Sequence, residues 1–168
     1  KKNINIKVIN TGLKSLTGKR VKKLEKFFYK NENFFLTYGD GVSNVNLKKL
    51  LKLHNEKKAY LTLTAVHPPA RFGELKIRCG ELLSFKEKPQ LVEGWINGGF
   101  FVLNYSFFNY LPHNKNVMME REPIKKVVKA KKAFAYKHSG FWYCMDNLRD
   151  KIVLEDLIKK KKAPWIKN

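Results

Sequence analysis

Phe34-Phe35-Leu36-Thr37-Tyr38 is an apolar, aromatic run that stops at Gly39-Asp40-Gly41. Such a run reads as a buried strand, and two glycines around one carboxylate let the backbone turn tightly and approach a ligand closely. A strand of this kind needs neighbours, and the rest of the chain supplies candidates. Ile4, Ile6 and Val8 alternate with polar residues, so residues 4 to 9 are expected to form a strand. Thr17 is placed to cap a helix with Val21, Leu24, Phe27 and Phe28 on one face, and Ser43 or Asn44 to cap a second carrying Leu47, Leu50, Leu51 and His54. Ala59 to Val66 reads as a strand. Glu74 to Arg78 and Leu82 to Lys86 read as a hairpin turning at Cys79-Gly80. Trp95 to Leu103 is a strand interrupted by Gly98-Gly99, followed by short helices over 106 to 111 and 120 to 129. Short strands over 133 to 138 and 141 to 144 precede a last helix, 147 to 158, resting on Leu148, Ile152 and Leu157.

Strands alternating with helices predict an α/β fold on a mixed, mostly parallel sheet, formed as one unit over residues 1–168. Open α/β sheets place their ligands at the carboxyl ends of strands, where Asp40 sits. Only four aspartates occur, and a second, Asp146, also follows an aromatic run, Phe141-Trp142-Tyr143-Cys144. Each has a plain alternative, Asp40 in an Asp-Gly turn and Asp146 as a helix cap. A shared sheet edge would instead bring the two carboxylates together, and hard oxygen ligands with room for water and phosphate suit magnesium. In Phe85-Lys86-Glu87-Lys88-Pro89, the proline forces Lys88 into extended backbone, so Glu87 and Lys88 point to opposite sides. An ammonium so held can neutralise a phosphate monoester, and a carboxylate can accept sugar hydroxyls.

The formal net charge of +21 invites a nucleic-acid partner, but 30 of the 35 basic residues are lysine and 15 asparagines stand beside them. Phosphate and base recognition favours the bidentate arginine fork, so this excess reads as solvated helix faces, and no nucleic acid is expected. No stretch approaches the roughly 18 apolar residues of a membrane span, so no membrane partner is expected. Cys79 and Cys144 are too few for a disulfide framework, which points to a reducing cytoplasm.

Leu36-Thr-Tyr-Gly-Asp-Gly-Val, Thr64-Ala-Val-His-Pro-Pro-Ala-Arg-Phe-Gly-Glu-Leu, Phe85-Lys-Glu-Lys-Pro-Gln, Gly94-Trp-Ile-Asn-Gly-Gly-Phe-Phe-Val, Glu120-Arg-Glu-Pro and Gly140-Phe-Trp-Tyr-Cys-Met-Asp-Asn-Leu-Arg-Asp-Lys follow one another in that order. Together they resemble the sugar nucleotidyltransferase family, in its cytidylyltransferase branch, from about Thr11 to the Ala163-Pro164-Trp165 tail. The resemblance implies a Rossmann-like three-layer nucleotidyltransferase domain, part of an enzyme of nucleotide-sugar biosynthesis that joins CTP and glucose 1-phosphate into CDP-glucose and pyrophosphate with Mg2+, homo-oligomeric when complete. It implies that Asp40 and Asp146 hold the metal and act in catalysis with Lys88. Ser15, Arg20 and Gly39 match nucleotide-binding positions; Gly73, Glu87 and Lys88 match the sugar-phosphate side, and Asn97 and Gly98 the sugar pocket. Asn10 departs from the aspartate such chains often carry before Thr-Gly-Leu. The Gly-rich loop that holds the triphosphate is absent, and the chain opens at Lys1 without a methionine, so it reads as cut from something longer. Alone it is expected to be inactive and poorly soluble or self-associating, with Phe34, Phe35 and Leu36 lacking a neighbour.

Overall fold

The computed structural model of the chain describes residues 4–68, 74–86 and 94–166. The elements in chain order are helix α1 (Thr17–Lys22), strands β1 (Asn33–Thr37) and β2 (Gly41–Ser43), helix α2 (Leu47–Glu56), and strands β3 (Leu61–Val66), β4 (Glu74–Arg78), β5 (Glu81–Lys86) and β6 (Ile96–Asn104). After a 3-10 turn at Tyr105–Tyr110 come α3 (Glu122–Lys129), β7 (Ala133–His138), β8 (Trp142–Cys144) and α4 (Leu148–Lys159).

Four strands form the central sheet in the order β1-β6-β3-β7. β3 and β7 pair in parallel, while β6 runs antiparallel to both β1 and β3, so β1, β3 and β7 all point one way. The mixed α/β sheet expected from the sequence is therefore present. Register gives each face its content. Phe34, Leu103, Leu61 and Ala133 lie in one row and Leu36, Phe101, Leu63 and Ala135 in the next. Their large residues, Phe34, Leu36, Leu61, Leu63, Phe101 and Leu103, pack on Val21 of α1, Phe107 and Phe108 of the 3-10 turn, Met119 just before α3 and Val127 within it. The opposite face meets α2, where buried His54 hydrogen-bonds the Thr62 hydroxyl through Nδ1 at 2.9 Å. Covering both faces gives three layers, with the carboxyl ends of β1 and β3 left open at one edge.

Beyond that edge, β2 and β8 form a small antiparallel ladder in which Gly41 faces Cys144. The β4–β5 hairpin turns at Cys79 and Gly80 as expected, both at positive φ. Gly98-Gly99 does mark an irregularity: the pairing of β6 with β3 shifts register between Leu63 and Ala65.

Several local expectations fail for identifiable reasons. Residues 4 to 9 form no strand; Ile4, Ile6 and Val8 are exposed, because no described strand offers them a ladder. Thr17 is the first residue of α1 rather than its cap, its hydroxyl being engaged by Glu120 and Met119 instead. Asn46, not Ser43 or Asn44, caps α2, accepting from the Lys49 amide at 3.0 Å. The last helix buries Leu154, leaving Leu148 and Ile152 exposed. At the sheet edge Phe35 is 49% exposed, but Phe34 and Leu36 pack against the core, with Phe34 stacked between Phe28 and Phe108. No helix among the described residues is long and apolar enough to cross a membrane.

Candidate active site

Asp40 follows β1 by three residues, and Asp146 follows β8 by two. The β2–β8 ladder ties these segments together, and the Met145 amide donates to the Asp40 carbonyl at 2.8 Å. As a result one oxygen from each carboxylate and the Cys144 sulfur all lie within 4.8 Å of one another. The reading of Asp146 as a helix cap does not hold. Asn147 caps α4, and Asp150 closes the capping box by accepting from the Asn147 amide. Capping therefore makes no demand on the Asp146 carboxylate.

The pair opens onto a cavity of about 770 Å³ whose walls include Tyr38, Asp40, Asn97, Gly98, Trp142 and Asp146, a size suited to a small organic ligand. Trp142 donates its indole N–H to the Gly98 carbonyl at 2.7 Å, fixing that wall. Cys144 donates to Asp146 Oδ1 at 3.2 Å. Burial, that hydrogen bond and the charges of Asp40 and Asp146 push its thiol up to about 12, so it stays protonated. Two carboxylate oxygens form a hard donor pair, which fits magnesium better than it fits a soft, thiolate-seeking cation. Tyr38 is likewise pushed up, first by burial, then by its bond to Glu120 and the charges around it.

Of the residues expected at the site, Asp40, Asp146, Asn97 and Gly98 converge on this cavity. Gly39 lies beside it in the Tyr38–Asp40 turn. Ser15 and Arg20 lie outside the wall. Arg20 braces its own loop through Nε to the Ser15 carbonyl (2.7 Å), Nη1 to the Thr11 hydroxyl (2.9 Å) and Nη2 to the Leu13 carbonyl (3.1 Å). Gly73, Glu87 and Lys88 lie outside the described residues. Tyr38, Trp142 and Cys144 escaped the sequence reading, although period-two spacing puts Trp142 and Cys144 on one side of β8.

Residues 1–150 match the protein family described as "Nucleotidyl transferase". The chain is 43% identical over 161 residues to a glucose-1-phosphate cytidylyltransferase of Salmonella typhimurium and 42% identical to that of Salmonella typhi, alignments covering 96% of this chain. It spans 62% of the length of those relatives. Its fold matches a UDP-glucose pyrophosphorylase solved with UDP-glucose, with a TM-score of 0.63 at 16% identity over 90% of this chain and 64% of that one. Paired carboxylates at the edge of a mixed α/β sheet, a ligand-sized cavity beside them and the match over residues 1–150 lead to one conclusion: the chain belongs to the nucleotidyl transferase family.

Proposed function

We propose that the protein to which this chain belongs joins CTP and glucose 1-phosphate, releasing CDP-glucose and pyrophosphate. The observation that carries the reading is the convergence of Asp40 and Asp146 on a cavity also walled by Asn97 and Gly98. The likeness to glucose-1-phosphate cytidylyltransferases over 96% of the chain supplies the choice of nucleotide and sugar.

An oxygen of the sugar phosphate attacks the α-phosphorus of CTP, a new P–O bond forms, and the bond to the β-phosphate breaks. No protein nucleophile is needed, so this chain contributes position and charge. Asp40 and Asp146 would hold a magnesium ion, which would supply charge neutralisation at the α-phosphate. Asn97 and Gly98 shape the sugar pocket. Lys88 pairs with the sugar phosphate, Glu87 accepts sugar hydroxyls and Gly73 lies alongside. Gly39, with its open flank, lies against the nucleotide; Ser15 and Arg20 build the loop on the nucleotide side. Two free thiols fit a reducing cytoplasm. The exposed apolar hairpin residues Leu75, Ile77 and Phe85 offer surface for a homo-oligomer.

The test is pyrophosphate release by the complete protein supplied with CTP, glucose 1-phosphate and magnesium, with UTP and GTP as competitors. Asp40→Asn and Asp146→Asn should each lower turnover by at least about 100-fold with the fold intact. Turnover within twofold of the parent in either variant would remove that residue from the metal site.

A further inference from the structure

The described ion pairs take Glu25, Glu56, Glu122, Glu155 and Asp156 to lysines. Among the described carboxylates outside the ion pairs, Glu32 and Asp150 accept backbone amides. Glu120 instead accepts two hydroxyls, Thr17 Oγ1 at Oε2 and the Tyr38 hydroxyl at Oε1, each at 2.6 Å. Thr17 in turn accepts the Met119 amide at 2.9 Å, which locks the carboxylate between α1 and the end of β1. Both bonds are charge-assisted and short, the strong kind.

What Glu120 holds matters more than how it is held. The Tyr38 ring lies against Gly99, so closely that a Cβ there would come within 2.6 Å of it, and Gly99 adopts φ +77°. The Tyr38 hydroxyl receives a long bond from Asn97 Nδ2 at 3.4 Å, and Asn97 Oδ1 accepts the Gly99 amide at 3.0 Å. The bulged Asn97–Gly99 wall is thus fixed from one side by Tyr38 and from the other by Trp142 on the Gly98 carbonyl. Tyr38 lines the cavity; Glu120 stands behind it and does not.

We propose that Glu120 is a positioning residue for the sugar pocket, acting through the Tyr38 hydroxyl to hold Asn97, Gly98 and Gly99 in register for the sugar phosphate. The inference rests on the functional reading above only for the identity of that ligand. A carboxylate is not required for its charge. A carboxamide in the same place can accept from Tyr38 through its oxygen and donate to the Thr17 hydroxyl through its nitrogen.

The test has two arms. In the complete protein, Glu120→Ala should raise KM for glucose 1-phosphate about tenfold, the loss expected for one well-formed hydrogen bond, with KM for CTP moved less than about twofold. Tyr38→Phe should do the same, the double variant should be no worse than either single one, and Glu120→Gln should restore near-parental values. The second arm needs no substrate: amide exchange at Gly99 and the indole N–H resonance of Trp142, read by NMR, should change in Glu120→Ala and Tyr38→Phe but not in Glu120→Gln. A parent protein without turnover would sink the functional reading while leaving this arm decisive. Unchanged Gly99 protection in Tyr38→Phe, additive effects of the two changes, or equal damage to both substrates' KM would overturn the role of Glu120. Should Glu120→Ala fail to fold, Tyr38→Phe and Glu120→Gln carry both readouts.

Discussion

Two pairs of glycines flank the same cavity, and they are there for opposite reasons. Gly39 and Gly41 bracket Asp40, yet a Cβ on Gly39 would meet nothing within 4 Å and one on Gly41 only a Phe100 ring carbon at 4.0 Å. Neither takes a positive φ. Gly98 and Gly99, by contrast, are walled in. A Cβ on Gly98 would lie 2.9 Å from a Val66 methyl and 3.1 Å from the Thr64 carbonyl, and Gly99 combines φ +77° with the Tyr38 ring at 2.6 Å. The second pair is required by the fold itself; the first leaves open space beside the Asp40 carboxylate, where only a ligand could make small size necessary.

That contrast can be broken most forcefully at Gly99. Gly99→Ala should cost about 3 kcal/mol of stability in urea denaturation, because a left-handed backbone and a steric clash add. Gly98→Ala should cost about 2 kcal/mol, since Val66 has a branched side chain with little room to yield. Changes below about 0.5 kcal/mol at both would show that the bulge is soft. Buried His54, on α2 and bonded to Thr62, sharpens the scale with a pH effect of similar size. Burial lowers its pKa to about 4 from the ordinary 6.5. The unfolded chain therefore binds a proton that the folded chain refuses, and stability falls as pH drops from about 6.5 to about 4, by on the order of 3 kcal/mol at most. Denaturation at pH 7 and pH 5 checks this, and His54→Gln should flatten that part of the profile. Gly39→Ala and Gly41→Ala should leave stability within about 0.5 kcal/mol. Gly39→Ala should nevertheless raise KM for CTP; a variant neutral in both respects would mean that no nucleotide passes there. Smallest of all, Cys144→Ser should leave the magnesium dependence of turnover within about twofold, because a hard cation takes carboxylate oxygens in preference to sulfur.

How legible was this in the sequence? Asp40 and Asp146 were readable because each ends an aromatic run, and period-two patterning locates strand ends well. The β2–β8 ladder that actually joins them was not: three-residue strands carry too little pattern to reveal a partner. Local caps were misassigned where several asparagines and serines compete, as at Ser43, Asn44 and Asn46, since only the backbone angle at the helix start decides among them. The alternation of Ile4, Ile6 and Val8 misled because a strand is a property of two segments, not one. Glu120 was visible only as part of a motif. Its bonds to Thr17 and Tyr38 span 103 and 82 residues, beyond any local rule.

The central claim is that Asp40 and Asp146 act together on one divalent cation at the mouth of the cavity. Manganese, a spectroscopic substitute for magnesium, reports this directly through loss of its free-ion EPR signal on titration into the protein. The account predicts one ion per chain, displaced by magnesium, with affinity falling at least about tenfold in Asp40→Asn and in Asp146→Asn and unchanged in Cys144→Ser. Manganese binding as tight in both aspartate variants as in the parent would contradict it.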